Sequence, residues 1–538
     1  MATSKVTQFL VGASNKSKFP GIQGAQWSCN MYYSKNGADE YMESLPGMKL
    51  LSVVQDGARC RGAYVSTIGL SAMQSTEDMF AVLGNTLYRF DAYGNRTAIG
   101  DVAPNGKRVS FAETGGPRAL LLVADGASLY YYDLLEGGGL VQIQTPERIT
   151  SREGNVTPSH VAVVGGSIVI NDSQSGYCYY SIPYPLADVT RKMFKMGADG
   201  KPEYESDGVT VKTEYLESRL HVFEDDYQVQ QYFNTESSSD NINGLYAVGP
   251  TLYVFGPKTV EIWQRGSGEF EDWIRTSYTA QNSFGLEAPS SLASSGSIVY
   301  FVASGAQYGK AVMMVSGTQF KKISEDWLEH KLLQESTESA YGFCYSVADH
   351  NFFVLQLNSI GETWVYDILD GGWHQRTSRN RKTGIESQWR AGGVAYYREK
   401  FYTFTNDGCV CSFHSDYWSE DFPDGTVYPM IRHRQTAVIV DGLKNFILEE
   451  LAVECNVGSW DDYALKPMLL LEVSKDGGNT FGNVKSASLG RTGDYSHRVR
   501  FRNLGMCRKC VLRVTYSHPT ELTLNSCSVR AESTAEMI

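Results

Sequence analysis

The chain has 538 residues, with 48 Lys+Arg against 60 Asp+Glu, a formal net charge of −12, and aromatics at 12 %, including 33 Tyr, beside 52 Gly. That length exceeds one ordinary core, and the Tyr- and Gly-rich balance favours short strands and tight turns over helical bundles. The acidic surplus excludes static wrapping of nucleic acid, which needs phosphate neutralisation by Lys and Arg, and no stretch approaches the about 20 apolar residues of a membrane-spanning helix, so no membrane insertion is expected.

Residues 1–55 have weak periodicity and are expected to form an N-terminal arm with some pairing. The start, Met1-Ala2-Thr3-Ser4-Lys5, lacks a basic region leading into an apolar stretch, so no secretory signal is expected. From residue 56 to 425 an aromatic-then-Asp strand ending recurs: Leu87–Asp91, Leu129–Asp133 and Trp364–Asp367, with looser relatives at Tyr180, Trp263, Phe320 and Phe413. The intervals from Asp91 to Asp133, Asp133 to Tyr180, Phe320 to Asp367 and Asp367 to Phe413 are 42, 47, 47 and 46 residues, which match the roughly 40–50 residues of one four-stranded propeller blade. The expected fold is therefore all-β: a β-propeller of six or seven blades. The 83 residues from Tyr180 to Trp263 leave room for an inserted projection, placed at about 187–228, with strand signals at Val209–Val211 and Leu220–Phe223. Trp364–Asp367, then Trp373, then Gly392-Gly393, resembles a kelch blade in which the glycines permit a tight bend. After Pro423-Asp424-Gly425 the repeat stops. Residues 426–538 alternate as strands, including Thr436–Val440, Phe446–Leu451, Leu469–Val473 and Cys510–Val514, and are expected to form a C-terminal β-sandwich.

The sequence carries no recognisable catalytic set. Ser474–Phe481 fits the Asp-box pattern of sialidase propellers, but it occurs once, in the sandwich, and its physics is that of a capped hairpin. Glu224-Asp225-Asp226, Glu449-Glu450 and Asp461-Asp462 are acidic clusters without the separation a glycosidase pair needs. Gly305–Lys310 falls one residue short of a phosphate-binding loop, and the histidines form no HExxH. Cys507-Arg508-Lys509-Cys510 is the sole CxxC; it lacks both a partner pair for zinc and a βαβ context for thioredoxin-like chemistry. No metal and no cofactor are expected, and the remaining cysteines read as buried reduced thiols.

Charge is uneven: residues 428–538 carry 14 Lys+Arg against 12 Asp+Glu, leaving 34 and 48 to the rest. Alternation places Arg498, Arg500 and Arg502 on one strand face with Val499 and Phe501 inward; Arg508, Lys509 and Arg513 follow. Three guanidinium groups in a row repel one another unless matched, which makes this region the first candidate for binding an acidic partner or a DNA backbone. A second basic knot, Arg376, Arg379, Arg381 and Lys382, follows Trp373.

The order Asn30-Met31-Tyr32, Ser44–Met48, Arg61-Gly62, Leu87-Tyr88, Thr259–Trp263, Trp364–Asp367 and Leu522–Arg530 resembles the packaged-DNA stabilisation proteins of short-tailed bacteriophages, also called tail hub, nozzle or head-completion proteins. The likeness is collinear over nearly the whole chain, and the insertion departs from it. The resemblance implies a non-enzymatic virion protein, made in the host cytoplasm and placed in the tail. It implies a homo-hexameric ring below the portal–adaptor ring that extends the DNA channel and retains the packaged genome. Its implied partners are the portal–adaptor ring, a tail needle or plug, tailspikes or fibres, and the double-stranded DNA that passes through. The competing readings are a carbohydrate-binding or carbohydrate-cleaving propeller, sialidase-like or adhesin, and a cellular kelch-like scaffold.

Overall fold

The computed structural model describes residues 4–6, 26–36, 39–66, 78–115, 119–149, 153–183, 186, 190–235, 241–266, 273–278, 284–306, 309–336, 339–413, 416–441, 444–460 and 465–533. Asp461-Asp462 and Gln307-Tyr308 lie outside them. The described chain is almost wholly β, and its contacts divide it into two compact units: residues 51–322 with 391–410, and residues 1–50 with 323–390 and 411–538.

In the first unit, antiparallel four-stranded meanders follow one another. The first is Cys60–Ser66, Asp78–Leu83, Thr86–Phe90 and Arg96–Asp101; the second runs from Ser110–Glu113 to Gly137–Ile143. The next comprises Val161–Val164, Ser167–Asn171, Tyr177–Tyr180 and Tyr232–Asn234; then Gly244–Val248 to Trp273–Tyr278; then strands from Gly285–Leu286 to Gln319–Lys322. The hairpin Ala391–Tyr397/Lys400–Thr405 belongs to this unit too. The Val54 amide donates to Gly408 O at 2.9 Å, and Gly57 N to Asp407 O at 3.0 Å, tying the front of the unit to its last hairpin.

The recurrent Asp has a physical job. Asp91 Oδ1 accepts from the amides of Tyr93 and Asn95, both at 2.9 Å; Asp133 Oδ1 accepts from Leu135 (3.0 Å) and Glu136 (2.8 Å). In the second unit Asp367 Oδ1 accepts from Leu369 at 3.0 Å and Asp370 at 3.4 Å. Each carboxylate caps the turn from the third blade strand into the fourth, satisfying amides that leave the ladder. The aromatic before it lies at or next to the strand's last residue, and Phe90, Tyr132 and Tyr366 are all buried.

Three local expectations are corrected. In the projection Thr190–Phe194 pairs with Thr213–Glu217, but 209–211 contributes only the isolated bridge Tyr204↔Val211 and Leu220–Phe223 no strand. There Asp207 takes the amides of Val209 and Thr210, both at 2.9 Å, away from any ladder. Gly392-Gly393 makes no tight bend. Both lie inside Ala391–Tyr397, where a Cβ on Gly392 would meet Asn406 Oδ1 at 2.5 Å and Cys60 Cβ at 2.6 Å, so glycine serves close approach. Of Thr436–Val440 only Ile439–Val440 is strand, because Thr436 N donates to Leu512 O and Thr436 Oγ1 accepts from Leu512 N instead. One α-helix, Asp326–Leu332, stands among the described residues; it buries Trp327, Leu328 and Leu332 and sets Trp327 against Trp364 with ring centroids 4.4 Å apart and planes tilted at 58°.

The second unit joins a blade-like meander to a sandwich. Ala340–Val347, His350–Leu357, Glu362–Asp367 and Trp373–Gln375 form the meander. Trp27–Cys29 pairs in parallel with Trp373–Gln375 and antiparallel with Arg432–Gln435, so the sheet continues through Lys509–Tyr516, Met468–Ser474 and Lys485–Ser488. The facing sheet has the order Met31–Asn36, Asp39–Ser44, Thr523–Ser533, Phe446–Cys455, Val499–Cys507. Strands from the first 50 residues therefore enter both sheets. Between the sheets Leu448, Leu451, Leu469, Leu471, Phe501, Leu512 and Val514 form the core with their neighbours.

Candidate functional site

The arginine row sits where alternation puts it. In Val499–Cys507, Val499 and Phe501 are buried, while Arg500 and Arg502 are exposed; Arg498, just ahead of the strand, is exposed as well. Register sets Arg502 opposite Glu450 and Arg500 opposite Ala452, and on the other flank Glu450 faces Arg530. Arg502 Nε donates to Glu450 Oε2 at 2.8 Å, and Arg500 Nη1 lies 3.9 Å from Oε1. The Glu450 carboxyl is held below the ordinary range first by the Arg502 hydrogen bond, then, against a small cost of burial, by the charges of Arg500, Arg502 and Arg530. Two guanidinium groups thus lie within ion-pair reach of one carboxylate, and the charge of a third, Arg530, acts on it as well.

Glu450 and Arg530 join this site, and the sequence alone gives no way to place them. A bulge lies between Leu448 and Glu450 in the pairing, and Asn503 across from it takes φ 57°. Period-2 reading breaks at such a bulge, so the parity that identifies the outward residues of Val499–Phe501 does not carry across it.

The other residues of the first constellation scatter. Arg508 and Lys509 are exposed at the bend between Val499–Cys507 and Lys509–Tyr516. Arg513 is half-buried: its guanidinium lies 3.6 Å over the Phe481 ring, and Nε donates to Gln435 Oε1 at 3.1 Å. Phe481 closes the Asp-box. There Asp476 Oδ1 accepts from Ser474 Oγ (2.7 Å), Asn479 N (2.9 Å) and Thr480 N (3.0 Å), and Gly477 and Gly478 take φ 83° and 101°. Hydrogen bonds led by the Thr480 amide hold the Asp476 carboxyl well below its usual range. All its acceptor capacity goes to its own turn.

The second basic knot is not one patch. Arg376 is fully buried, its guanidinium 4.0 Å from the Trp389 ring centroid, 5.2 Å from Phe413 and 5.5 Å from Tyr345. It donates to Tyr345 Oη at 2.6 Å and to Pro46 O at 2.8 Å. Arg376 is a packing residue, unavailable to a partner. Arg379 lies 4.3 Å over the Tyr428 ring, and Arg381 Nη1 is 3.6 Å from Asp424 Oδ2. Lys382 is exposed in the turn that Asn380 caps.

Among the described residues one cluster has metal-ligand elements: ligand atoms of His350, Asp367 and Asp370 lie within 4.8 Å of one another. His350 Nδ1 is 2.6 Å from Asp367 Oδ2, and Asp367 Oδ1 already accepts two amides. A cation there would have to displace the imidazole from Asp367, so the geometry is that of a satisfied histidine–carboxylate pair.

A family model described as bacteriophage P22 Gp10, beta-propeller, matches residues 206–412, and one described as bacteriophage P22 Gp10, beta-sandwich, matches residues 431–532. No curated protein matches the sequence. Among solved structures, a streptogramin B lyase is similar at 7 % identity and TM-score 0.38, covering 68 % of this chain and 96 % of that one. The N-terminal domain of Nup159 is similar at 12 % identity and TM-score 0.35 over 75 % of this chain and 100 % of its own. BamB from Moraxella catarrhalis gives 11 % and 0.29 over 68 % and 98 %. Likenesses this weak carry no argument about function. The two adjoining models are another matter: they stand in order, cover more than half of the chain and name the propeller and sandwich described above, so this chain belongs to the bacteriophage P22 Gp10 family of tail-hub, DNA-stabilisation proteins of short-tailed phages.

Proposed function

We propose that this chain assembles as a homo-hexameric ring below the portal–adaptor complex, extends the DNA channel and helps retain the packaged genome. In this reading residues 56–425 act as a rigid platform and residues 426–538 as the docking module. The observation that carries it is the succession of two models of one phage structural protein along a single chain. The charge distribution supports it: an acidic body repels phosphate and lets DNA pass without adhering. The Arg498–Arg502 row with Arg530, neutralised only in part by Glu450, supplies a cationic face for an acidic neighbour or a phosphate backbone. A tail needle or plug and tailspikes or fibres are the further neighbours in this assembly.

Native mass spectrometry of the purified chain, alone and mixed with portal–adaptor complex, tests the reading. Sixfold association that depends on the adaptor is expected; a monomer in both samples overturns it. At the site itself, simultaneous Arg498→Ser, Arg500→Ser and Arg502→Ser should weaken docking or genome retention while the sandwich stays folded. Normal DNA-filled particles from that variant would remove the row from the interface.

A further inference from the structure

The two cysteines of the CxxC end up on different sheets. Cys507 closes the strand Val499–Cys507 opposite Phe446, while Cys510 pairs with Ile439 in the other sheet; the chain bends at Arg508 to cross between them. Both side chains point into the same core, Cys507 at 6 % exposure and Cys510 at 0 %. There the two thiols face one another closely enough to share a hydrogen bond. A Cβ added to Gly505 would sit 2.6 Å from Lys475 Nζ, so an ammonium group lies over the strand two residues from Cys507. Arg508 and Lys509, both exposed, flank the pair. Touching thiols in an electropositive setting at the edge of solvent access are the conditions for thiol–disulfide exchange.

We propose that Cys507 and Cys510 form an oxidisable dithiol, with Cys507 as the attacking thiolate and Cys510 as the resolving thiol, closing a disulfide across the corner of the sandwich when the protein meets a small-molecule disulfide. Cys507 suits the first role on geometry: it keeps 6 % exposure against 0 % for Cys510, and the Lys475 ammonium lies over its strand; the hydrogen bond between the thiols, with that charge, lowers its pKa against burial. With oxidised glutathione, the Cys507 thiolate attacks one sulfur, the glutathione S–S bond breaks, and one glutathione thiolate leaves. Cys510 then gives its proton to that thiolate and attacks the Cys507 sulfur, expelling the second glutathione. Two protein thiols are oxidised and one glutathione disulfide is reduced. A virion component moves from a reducing cytoplasm to oxidising surroundings, so the bridge would form after release. So short a loop constrains little of the unfolded chain, and its effect is to fix the corner between Arg502 and Arg513 locally.

Full-length protein treated with oxidised glutathione, quenched by alkylation of free thiols and digested with trypsin, tests this. Trypsin cuts after Arg508 and after Lys509, so only a disulfide holds the two cysteine fragments together. The linked fragment should appear in the oxidised sample and vanish on reduction. Cys510→Ser should stop at the first step and accumulate a glutathione adduct on Cys507, and Lys475→Gln should slow bridge formation several-fold. Both fragments recovered alkylated from oxidised wild-type protein, or glutathione spread evenly over the other cysteines, would overturn the proposal; the wild-type digest decides it even if a variant fails to fold.

Discussion

Two arginine-rich segments of the same compact unit, Arg376–Lys382 and Arg498–Arg502, look alike in the sequence and are treated in opposite ways by the fold. Arg376 goes inward, between Tyr345, Trp389 and Phe413, with two charge-assisted hydrogen bonds to replace its water. Glu420, buried nearby, has its pKa raised by desolvation against the lowering pull of Arg390 and Arg376. Arg500 and Arg502 stay outward, with 35 % and 65 % of their side chains exposed, and share Glu450 with Arg530. Arg513, on Phe481, stands between these extremes at 28 %. A cluster of like charges predicts a binding surface only where the neighbouring strands leave it unpaired; an aromatic cage turns the same residue type into core.

The comparison can be broken first at the cage. Arg376→Ala leaves an emptied polar pocket beside Glu420 and should cost about 3 kcal/mol, read as a lowered urea midpoint; a loss below about 0.5 kcal/mol would show that the cage contributes nothing net. Next comes the histidine on the same meander. Burial pulls the His350 imidazole down, but the Asp367 hydrogen bond and the charges of Asp367, Asp370 and Glu43 outweigh it and raise its pKa above 6.5. A raised folded pKa gives a contribution that is full below the unfolded value and lost as pH rises through the folded one. Stability in this unit should therefore fall as pH rises above about 6.5 and through the raised folded value, and Asp367→Asn should cost about 2 kcal/mol at the acidic end and flatten that slope. An unchanged slope in the variant would assign the pH dependence elsewhere.

Phe481→Ala removes the ring beneath Arg513 and should cost about 1 kcal/mol, with amide exchange at 477–480 rising as the Asp-box loosens. Smallest is the pair Arg500→Ser with Arg502→Ser, which should shift the unfolding midpoint by no more than about 0.5 kcal/mol because exposed ion pairs contribute little. A larger loss would mean that the row stabilises the sandwich and is not reserved for a neighbour.

The recurrent strand ending was legible because its cause is local. An aromatic lies at the strand's end and the following Asp caps the turn with its own side chain, so the turn caps of Asp91, Asp133 and Asp367 mark repeats through local hydrogen bonds. The exposure of Arg500 and Arg502 was equally legible, since strand side chains alternate with period two. The burial of Arg376 was not: its cage comes from residues 345, 389 and 413, and its acceptor from Pro46, more than 300 positions away. Neither was the role of Glu450, which depends on a bulge that resets the alternation.

The chain by itself therefore determined its repeats, its turn caps and its all-β character, all of which depend on neighbours in sequence. Tertiary structure alone decided that Arg376 is buried, which carboxylate Arg500 and Arg502 share and that Cys507 and Cys510 enter one core, because charge and thiol reactivity depend on atoms brought together from distant strands. Local periodicity carries no record of those atoms.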